Sequence, residues 1–383
     1  SMCSHWRHKY FKCRKYNKSW CRLYSFVKCS LVRFKKYSIG SLAVISTVSS
    51  AYTLDNNSEY KIISQNQLDS ERYYKLSLKA YENNNDIQAL EFAKLSYEYG
   101  SVESSLLIGE ILRKSDPPLK NLKKAKKWYL LAANQNIPDA FIALGEMALL
   151  KQAELTLNDA LLYFTKASDM GRTDAMIALS EIYFKGIGVN INKPLSLDIL
   201  QKASNGFNNE ATKLLGDRYI NIDADKALKF YELAANAGHI EAAYISGIMY
   251  AESLNLVQNI AKASKYLKQS AHGNYPPAQA DYGLLIYQKK VKADLDKDFA
   301  YWFKKSAYGG DKEGQFLYSF ILAKGEGVQR NFKDSYYWLL KSGKSGNNAY
   351  DLDRENLKKS LESILNKEEI QKVKILISQE SIS

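Results

Sequence analysis

Cysteine is scarce in this 383-residue chain and is confined to one end of it. The four cysteines are Cys3, Cys13, Cys21 and Cys29. Residues 30–383 therefore cannot form a disulfide among themselves, and they offer no thiolate to a metal ion. Histidine is equally rare, with only His239 and His272 beyond residue 8. We expect these two histidines to lie at a helical turn or on the surface.

The motifs of common catalytic sites are missing as well. The sequence contains no HExxH, GxSxG or CxxC motif and no Walker phosphate-binding loop, so catalysis would have to rely on carboxylates alone. We therefore expect that the protein is not an enzyme and that it needs no cofactor and no metal.

Acidic residues are absent before Asp55, and this absence locates the positive charge of the chain. Eleven of the 54 Lys and Arg residues lie between Arg7 and Lys36, whereas the other 43 face 41 acidic residues. The formal charge of +13 is thus a property of the N-terminal segment, and we expect no nucleic acid to bind the rest of the chain.

A long hydrophobic run is also lacking. Residues 39–51 are uncharged and small or apolar, but a bilayer-spanning helix needs roughly 20 such residues. With small residues at Ser49 and Ala51, the pattern favours a signal peptide cleaved after Ala51. Three alternatives stay open: a membrane anchor at residues 39–52, a mitochondrial presequence, and a basic arm that binds nucleic acid with its interleaved aromatic residues.

A phrase that recurs along the chain dominates the remaining sequence. In "LKFYELAANAGHIEAAYISGIMY" (Leu228 to Tyr250) two apolar runs of helical period meet at Gly238. Equivalent turn positions recur at intervals of 31 to 36 residues, which indicates stacked helix pairs. These positions are Gly100, Asn136, Gly171, Phe207, Gly238, Asn274, Gly310 and Gly346.

Small residues recur at fixed places within each repeat. Four residues after each turn a small residue opens the first helix, and five residues later stands Gly or Ser, as in Gly109, Gly145 and Gly216. A glycine inside a helix costs about 1 kcal/mol relative to alanine, so we expect it to allow the second helix to approach closely. The loops "KGIGVNINKP" (Lys185 to Pro194) and "KGEGVQRNFK" (Lys324 to Lys333) lie within two of these repeats, and each joins the first helix to the second through glycines that permit positive φ.

These features resemble the Sel-1-like repeat family, a longer-looped relative of tetratricopeptide repeats. The resemblance rests on "LDILQKASNGFNNEATKLLGDRY", "YYWLLKSGKSG" and the Gly-x-Gly-Val loops, and it covers about residues 88–347. It implies an all-α, right-handed superhelical solenoid of about eight helix-turn-helix repeats. Residues 71–100 resemble a shorter tetratricopeptide-like opening unit, and the tail resembles the capping helices of bacterial members.

The resulting domain prediction has four parts. Residues 1–51 form a basic leader, 52–68 a linker, 69–347 the repeat solenoid and 348–383 the C-terminal capping helices. The family includes members pinned by paired cysteines in each repeat, and this chain lacks them.

A solenoid offers a concave groove, and two positions of the first helix are predicted to line it. Residues two and six after the small residue lie roughly 160° to 200° from the core-facing side. At the sixth position four acids give way to three apolar residues. We take as candidate groove residues Glu110, Glu146, Glu181, Asp217, Tyr244, Ile248, Leu284, Phe316 and Phe320. The alternative is that acids merely occupy a solvated face and the apolar residues contact the next helix.

The sequence thus predicts a non-catalytic scaffold or adaptor that binds a protein or peptide on its concave face. Bacterial relatives of this type imply a periplasmic or secreted location. The alternative function is recognition of a glycan or polymer, because 28 tyrosines could supply stacking platforms.

Overall fold

The computed structural model describes residues 50–54, 60–252, 258–293, 297–344 and 348–380. Residues 1–49, which include most of the predicted leader, and the predicted turn residue Gly346 lie outside the described residues. Strands β1 (Ser50–Leu54) and β2 (Tyr60–Ser64) pair antiparallel, with Ser50 opposite Ser64. The predicted linker at 52–68 thus contains most of a strand pair, whose first strand begins at Ser50 in the predicted leader, and the start of the first helix, at Gln65.

Eighteen α-helices follow in the described part, and this confirms the all-α repeat class. They are α1 (Gln65–Glu82), α2 (Asp86–Glu98), α3 (Glu103–Lys114), α4 (Leu122–Asn134), α5 (Pro138–Leu149), α6 (Leu157–Asp169), α7 (Thr173–Lys185), α8 (Lys193–Asn205), α9 (Asn209–Tyr219), α10 (Ala224–Asn236), α11 (Ile240–Glu252), α12 (Ile260–His272), α13 (Pro276–Tyr287), α14 (Phe299–Tyr308), α15 (Lys312–Lys324), α16 (Phe332–Ser342), α17 (Asn348–Ile364) and α18 (Lys367–Glu380). A short 3₁₀ turn, Gln152–Glu154, lies between α5 and α6.

The described chain divides into two compact units. Helices α1–α8 belong to the first unit, which ends at Gly206, and α9–α18 belong to the second, which begins at Phe207. Within each unit the helices up to α16 form successive antiparallel pairs, and each packs against its neighbours along the chain, whereas α17 and α18 both pack against α16. The first unit has one apolar core that runs from Ala80 to Ile182, and the second has a series of smaller clusters. The right-handed sense of the superhelix stays a prediction.

The predicted turn positions share one backbone conformation. All seven that are described have positive φ, between 58° and 101°, which is the left-handed conformation that ends a helix. Four of them are glycine, two are asparagine, and Phe207 is the exception to the expected residue types. The glycines of the two Gly-x-Gly loops also have positive φ, between 67° and 73°, as the sequence predicts.

Each second helix begins with the same cap. At every one of the eight N-caps a side-chain oxygen accepts a hydrogen bond from a backbone N–H of the first turn, and such a cap typically stabilises a helix by about 1 kcal/mol. The capping residues are Asn85, Asn121, Thr156, Asn192, Asp223, Asn259, Asp298 and Asn331. The caps therefore fix where each second helix starts relative to its loop.

The glycines inside the first helices allow the predicted close approach. A Cβ atom on Gly109 would lie 2.7 Å from the ring of Tyr129 in the paired helix, and one on Gly145 would lie 2.8 Å from Phe164. Where serine replaces glycine, the paired helix also presents serine, and Ser180 Oγ lies 2.8 Å from Ser196 Oγ. The helices of each pair thus meet through a small residue, as predicted.

Helices α17 and α18 cover the apolar face of the last repeat. Leu361 of α17 and Val373 of α18 are buried in one cluster with Phe316, Tyr336 and Leu339 of that repeat. The hydroxyl of Tyr336 donates to Glu362 at 2.6 Å. In the described part, no helix is both long and apolar enough to cross a membrane.

Candidate protein-binding surface

Two acids of the candidate groove accept hydrogen bonds from tyrosines in the paired second helix. Tyr129 lies over Gly109, and its hydroxyl donates to Glu110 at 2.9 Å. Tyr231 lies over Gly216 in the same way and donates to Asp217 at 2.9 Å. These carboxylates therefore hold the tyrosine that fills the space above the glycine.

Glu146 links neighbouring repeats instead of facing solvent. It is buried and lies 2.9 Å from Arg113, which also reaches Glu110 at 3.5 Å. Burial acts to lower the pKa of Arg113, but the nearby Tyr129, Glu110 and Glu146 outweigh it and raise that pKa. Removing one partner of such a buried pair would leave an uncompensated charge.

The remaining acids are more accessible. Glu181 is 24% exposed and pairs with Lys185 of its own helix at 2.7 Å. Asp217 pairs at 3.1 Å with Lys213, a fully buried lysine that also lies 3.3 Å from Glu241. All four acids of the predicted series thus make contacts within the chain, and Glu181 remains the most exposed.

The structure places three of the five apolar candidates in the core. Tyr244, Ile248 and Phe316 are all less than 10% exposed. Tyr244 packs on Tyr275 of the next repeat and donates its hydroxyl to Asp281 at 3.0 Å. Phe316 lies beneath the C-terminal helices. The expectation that both positions point into an open groove is therefore wrong for these three residues and for Glu146, because neighbouring helices cover them.

The change from acids to apolar residues follows the packing partner in the second helix. Where that helix supplies tyrosine, at Tyr129 and Tyr231, the residue after the glycine is an acid. Where it supplies Leu267 or Phe303 over the glycine, the next residue is Ile248 or Leu284. A hydrophobic partner offers no hydroxyl to a carboxylate. Glu146 is the exception, because Phe164 lies over Gly145 and Arg113 binds this acid instead. Contacts within the fold thus account for much of this pattern.

Two candidates stay accessible and lie in consecutive repeats. Leu284 on α13 and Phe320 on α15 are half-buried, and both pack against the same apolar cluster as Tyr287. We call Leu284, Tyr287 and Phe320 the C-terminal patch. The hydroxyl of Tyr287 donates to Glu326 at 2.7 Å, and the ammonium of Lys324 lies 4.3 Å from the centre of the Phe320 ring.

The structure also shows contacts between repeats that the sequence reading missed. An acid just before the small residue of one repeat contacts the residue just after the turn of the next: Asp139 lies 2.6 Å from Arg172, and Glu210 lies 2.8 Å from Nε2 of His239. Nδ1 of His239 also accepts a hydrogen bond from the N–H of Ala242, so this histidine is a turn residue as expected. An acid recurs in the sequence just before the small residue of most repeats, and this pattern could have predicted the contacts.

Catalytic groups do not converge in the described part of the chain. A cavity of about 610 Å³ lies beside α13, and the described residues that line it are lysines, apolar residues and Asp298. Asp298 caps α14. No cluster of three His, Cys, Asp or Glu side chains suited to a metal ion occurs among the described residues.

Comparisons with known proteins agree with this architecture. The model of the Sel1 repeat matches residues 102–137, 173–206, 214–239, 240–275 and 312–347. An uncharacterized protein of Neisseria meningitidis is 27% identical over 254 residues, which cover 56% of this chain and 54% of that protein. The chain thus spans about half the length of this curated relative.

Two solved structures share the fold. A Sel1 repeat protein from Oxalobacter formigenes matches with a TM-score of 0.58 and 23% identity, covering 76% of this chain and 87% of that one. A protective antigen of uropathogenic Escherichia coli matches with a TM-score of 0.53 and 21% identity, covering 81% and 76%. These two likenesses show the shared fold, and the five matched Sel1 repeats show that the chain belongs to the Sel1-like repeat family.

Proposed function

We propose that the protein is a non-catalytic scaffold whose C-terminal patch anchors a partner protein. Sel1 repeats are in general protein-interaction modules, so a binding role follows from the family in outline. The observation that carries the finer proposal is the half-exposed apolar surface of Leu284, Tyr287 and Phe320 on consecutive first helices. Folding of the core does not require these apolar side chains to stay accessible to solvent.

The patch has the composition of a binding hot spot. Aromatic side chains in a partly enclosed apolar setting carry most of the energy of protein interfaces, and surrounding polar groups mainly exclude water. Here Lys324 and Glu326 lie 3.4 Å apart at the edge of the patch. We therefore expect a partner that inserts an apolar side chain beside Phe320 and contacts this charged pair with polar groups.

The test uses a partner captured from the native cell envelope and measured by surface kinetics. Changing Phe320 to Ala should accelerate dissociation about tenfold, which corresponds to about 1.4 kcal/mol. The control is Tyr308→Ala, because Tyr308 is an aromatic residue of the same unit that is 69% exposed and lies outside the patch. Wild-type dissociation of the Phe320 variant would exclude the patch as the anchor.

The acidic candidates need a separate test, and Glu181 suits it best because it is accessible. Exposed charges act mainly on the association rate and on partner choice. Changing Glu181 to Lys should slow association, most clearly at low ionic strength, where the Debye length is long. Asp198→Lys, on the neighbouring second helix, is the matched control because Asp198 also pairs with a lysine of its own helix, Lys202, at 2.8 Å. Equal effects of both variants would indicate a non-specific charge effect.

Recognition of a glycan is the competing function, and the structure supplies a reason to favour a protein partner. Many of the tyrosines that suggested stacking platforms donate their hydroxyls to carboxylates of the same fold. Examples are Tyr129, Tyr231, Tyr244, Tyr287 and Tyr336. Identifying glycans as well as proteins in the capture experiment tests both functions together.

We also propose that the protein acts after export, in the envelope or outside the cell. The support is the leader sequence, with its basic segment and short apolar core. Mass spectrometry of native material should find a mature N-terminus near Tyr52. A soluble cytosolic form that still carries Cys3 to Lys36 would contradict export.

A further inference from the structure

A stripe of lysines lies on the outer side of α4. Lys123, Lys124 and Lys127 are exposed, and so is Lys120 just before the helix. In a helix, residues three and four apart share a face, and here that face is opposite the buried residues Ala125 and Tyr129. No acidic residue occurs between Asp116 and Asp139, so the stripe carries one sign of charge.

Most of this charge has no partner within the described part of the chain. Lys123 pairs with Glu154 at 2.7 Å, and both side chains are more than 70% exposed, so water screens that pair and it contributes little. No carboxylate lies within ion-pair distance of Lys120, Lys124 or Lys127 in the described part. Lys124 and Lys127 are three residues apart, about 4.5 Å along the helix axis. This spacing is well within a Debye length at physiological salt, so their fields add.

The stripe also works against the stability of its own helix. Lys123 and Lys124 lie in the first turn of α4, which contains no acid. The N-terminus of a helix carries partial positive charge, which disfavours cations there. Helices α8 and α12 also lack an acid in the first turn, but each has a single lysine there, Lys193 and Lys262, whereas α4 has two. A cluster that opposes a local folding rule points to a role in binding.

We propose that this stripe, Lys120, Lys124 and Lys127 with Lys123 at its edge, binds an acidic segment of a partner protein. The charge complementarity is with carboxylates at short intervals along a peptide. Two other anionic partners fit less well. Trp128, the aromatic residue within the stripe, is half-buried and packs perpendicular to Tyr97 with ring centres 5.1 Å apart, so its ring is engaged within the fold and is a poor stacking platform for a nucleic-acid base.

An anionic membrane is disfavoured by a second observation. Among the described residues, no large apolar side chain is exposed between Tyr99 and Leu150. A membrane-surface helix normally inserts apolar side chains next to its basic face, and α4 uses its apolar residues in the core. The stripe lies on a second helix, whereas the C-terminal patch lies on first helices, so this inference does not depend on the proposed function of that patch.

The test uses the full-length protein and an alternating Asp-Glu decapeptide, joined by a carbodiimide. The carbodiimide activates the carboxylates of the peptide, and a nearby lysine amine then displaces the urea by-product and forms an amide bond. Mapping the products by mass spectrometry separates the stripe from the basic leader. We expect coupling at Lys120, Lys123, Lys124 and Lys127 to exceed that at three scattered exposed lysines, Lys94, Lys229 and Lys333, by about fivefold at low salt, and the excess to shrink as salt increases.

Two triple variants make the result decisive. Lys120, Lys124 and Lys127 changed together to Glu should abolish the excess coupling at Lys123, whereas the same change at Lys94, Lys229 and Lys333 should leave coupling at the stripe unaltered. The stripe variant should also melt no lower than the wild type, because it removes cations from a helix N-terminus. Even coupling over all exposed lysines would overturn the proposal. A competition experiment could overturn it as well. In that case a 20-base-pair DNA duplex or phosphatidylserine vesicles, added before coupling, would prevent coupling at the stripe at a lower concentration of negative charge than the peptide supplies.

Discussion

Phe207 shows how strongly the repeat imposes its turn on a single residue. It adopts φ = 61° although it has a β-carbon, and its side chain is 94% exposed. At the equivalent position in the next repeat, Gly238 adopts φ = 92° with open space where a Cβ would lie. The left-handed conformation costs a non-glycine residue about 1–2 kcal/mol, and nothing in the packing of Phe207 offsets that cost.

The first prediction compares these two turns. Phe207→Gly should stabilise the protein by up to about 1 kcal/mol, because the strain exceeds the greater unfolded-state entropy of glycine. Gly238→Ala should destabilise it by about 1 kcal/mol through the backbone alone. Chemical unfolding of both variants checks the signs. Phe207→Ala serves as the control, since it removes the ring but keeps the strain and should change little.

A second prediction concerns Gly216 inside α9. A Cβ there would lie 2.6 Å from the ring of Tyr231, which is held in place by its bond to Asp217. Gly216→Leu should therefore separate the two helices and cost about 1–3 kcal/mol by overpacking. Tyr231→Phe, which keeps the ring and loses the hydroxyl bond, should cost only about 1 kcal/mol. An unchanged melting midpoint for the Leu variant would contradict this packing.

At the scale of the helix, much of the fold could be predicted from the sequence. The turn at Gly238 and its equivalents, the small residues opening each helix and the Gly-x-Gly loops all have local physical causes: a required φ or a close approach. These causes act within one helix pair, so the sequence of a single repeat is enough to predict them. The start of α1 at Gln65 was missed by four residues because that segment lacks such a signal.

The candidate site was harder to predict because it depends on contacts between pairs. Periodicity shows which side of one helix faces away from its own partner, and it placed Tyr244 and Phe316 there. It does not show that Tyr275 of the next repeat, or the C-terminal helices, cover that side. Likewise Glu110 looks like a surface acid until the hydroxyl of Tyr129, 19 residues away in the chain, is placed beside it.

The C-terminal helices carry a pH-dependent contact. Glu313 is buried and lies 3.4 Å from Arg354 of α17. Burial raises the pKa of Glu313 to about 8; Arg354 opposes this rise, whereas Asp311 and Asp281 add to it. Because Glu313 is then protonated in the folded state and ionised in the unfolded state between pH 4.5 and about 8, folding takes up a proton in this interval.

The third prediction follows from the sign of that uptake. Stability contributed by Glu313 is fully present below pH 4.5 and is lost as the pH rises towards about 8, with a slope of at most about 1.4 kcal/mol per pH unit. Glu313→Gln stays neutral and should flatten this dependence. Urea unfolding at several pH values between 5 and 8 provides the measurement, and identical pH profiles for the variant and the wild type would exclude Glu313 as the titrating group.

At the scale of the repeat array, stability should depend on which repeats share a core. Within the second unit, Gly247 and Gly283 lie in adjacent repeats. Leu267, which contacts Gly247, shares a cluster with Tyr282 and Trp302 next to Gly283. Gly216 lies one repeat further away, against Tyr231, which belongs to a different cluster. In an array with nearest-neighbour interactions, only the adjacent pair should be coupled.

The last prediction tests this coupling with double variants. Gly216→Ala combined with Gly283→Ala should lower the unfolding free energy by the sum of the single effects, within about 0.5 kcal/mol, because the sites share no contact. Gly247→Ala with Gly283→Ala should depart from the sum by more than that, since relaxation around Leu267 already disturbs the packing beside Gly283. The measurement is urea unfolding followed by both circular dichroism and tryptophan fluorescence. Probes that disagree would show that repeats unfold in steps, and the coupling would then be taken from the fluorescence transition, to which Trp302 beside Gly283 contributes. Equal coupling in both double variants would mean that the unit unfolds as one indivisible core, and it would exclude a nearest-neighbour array.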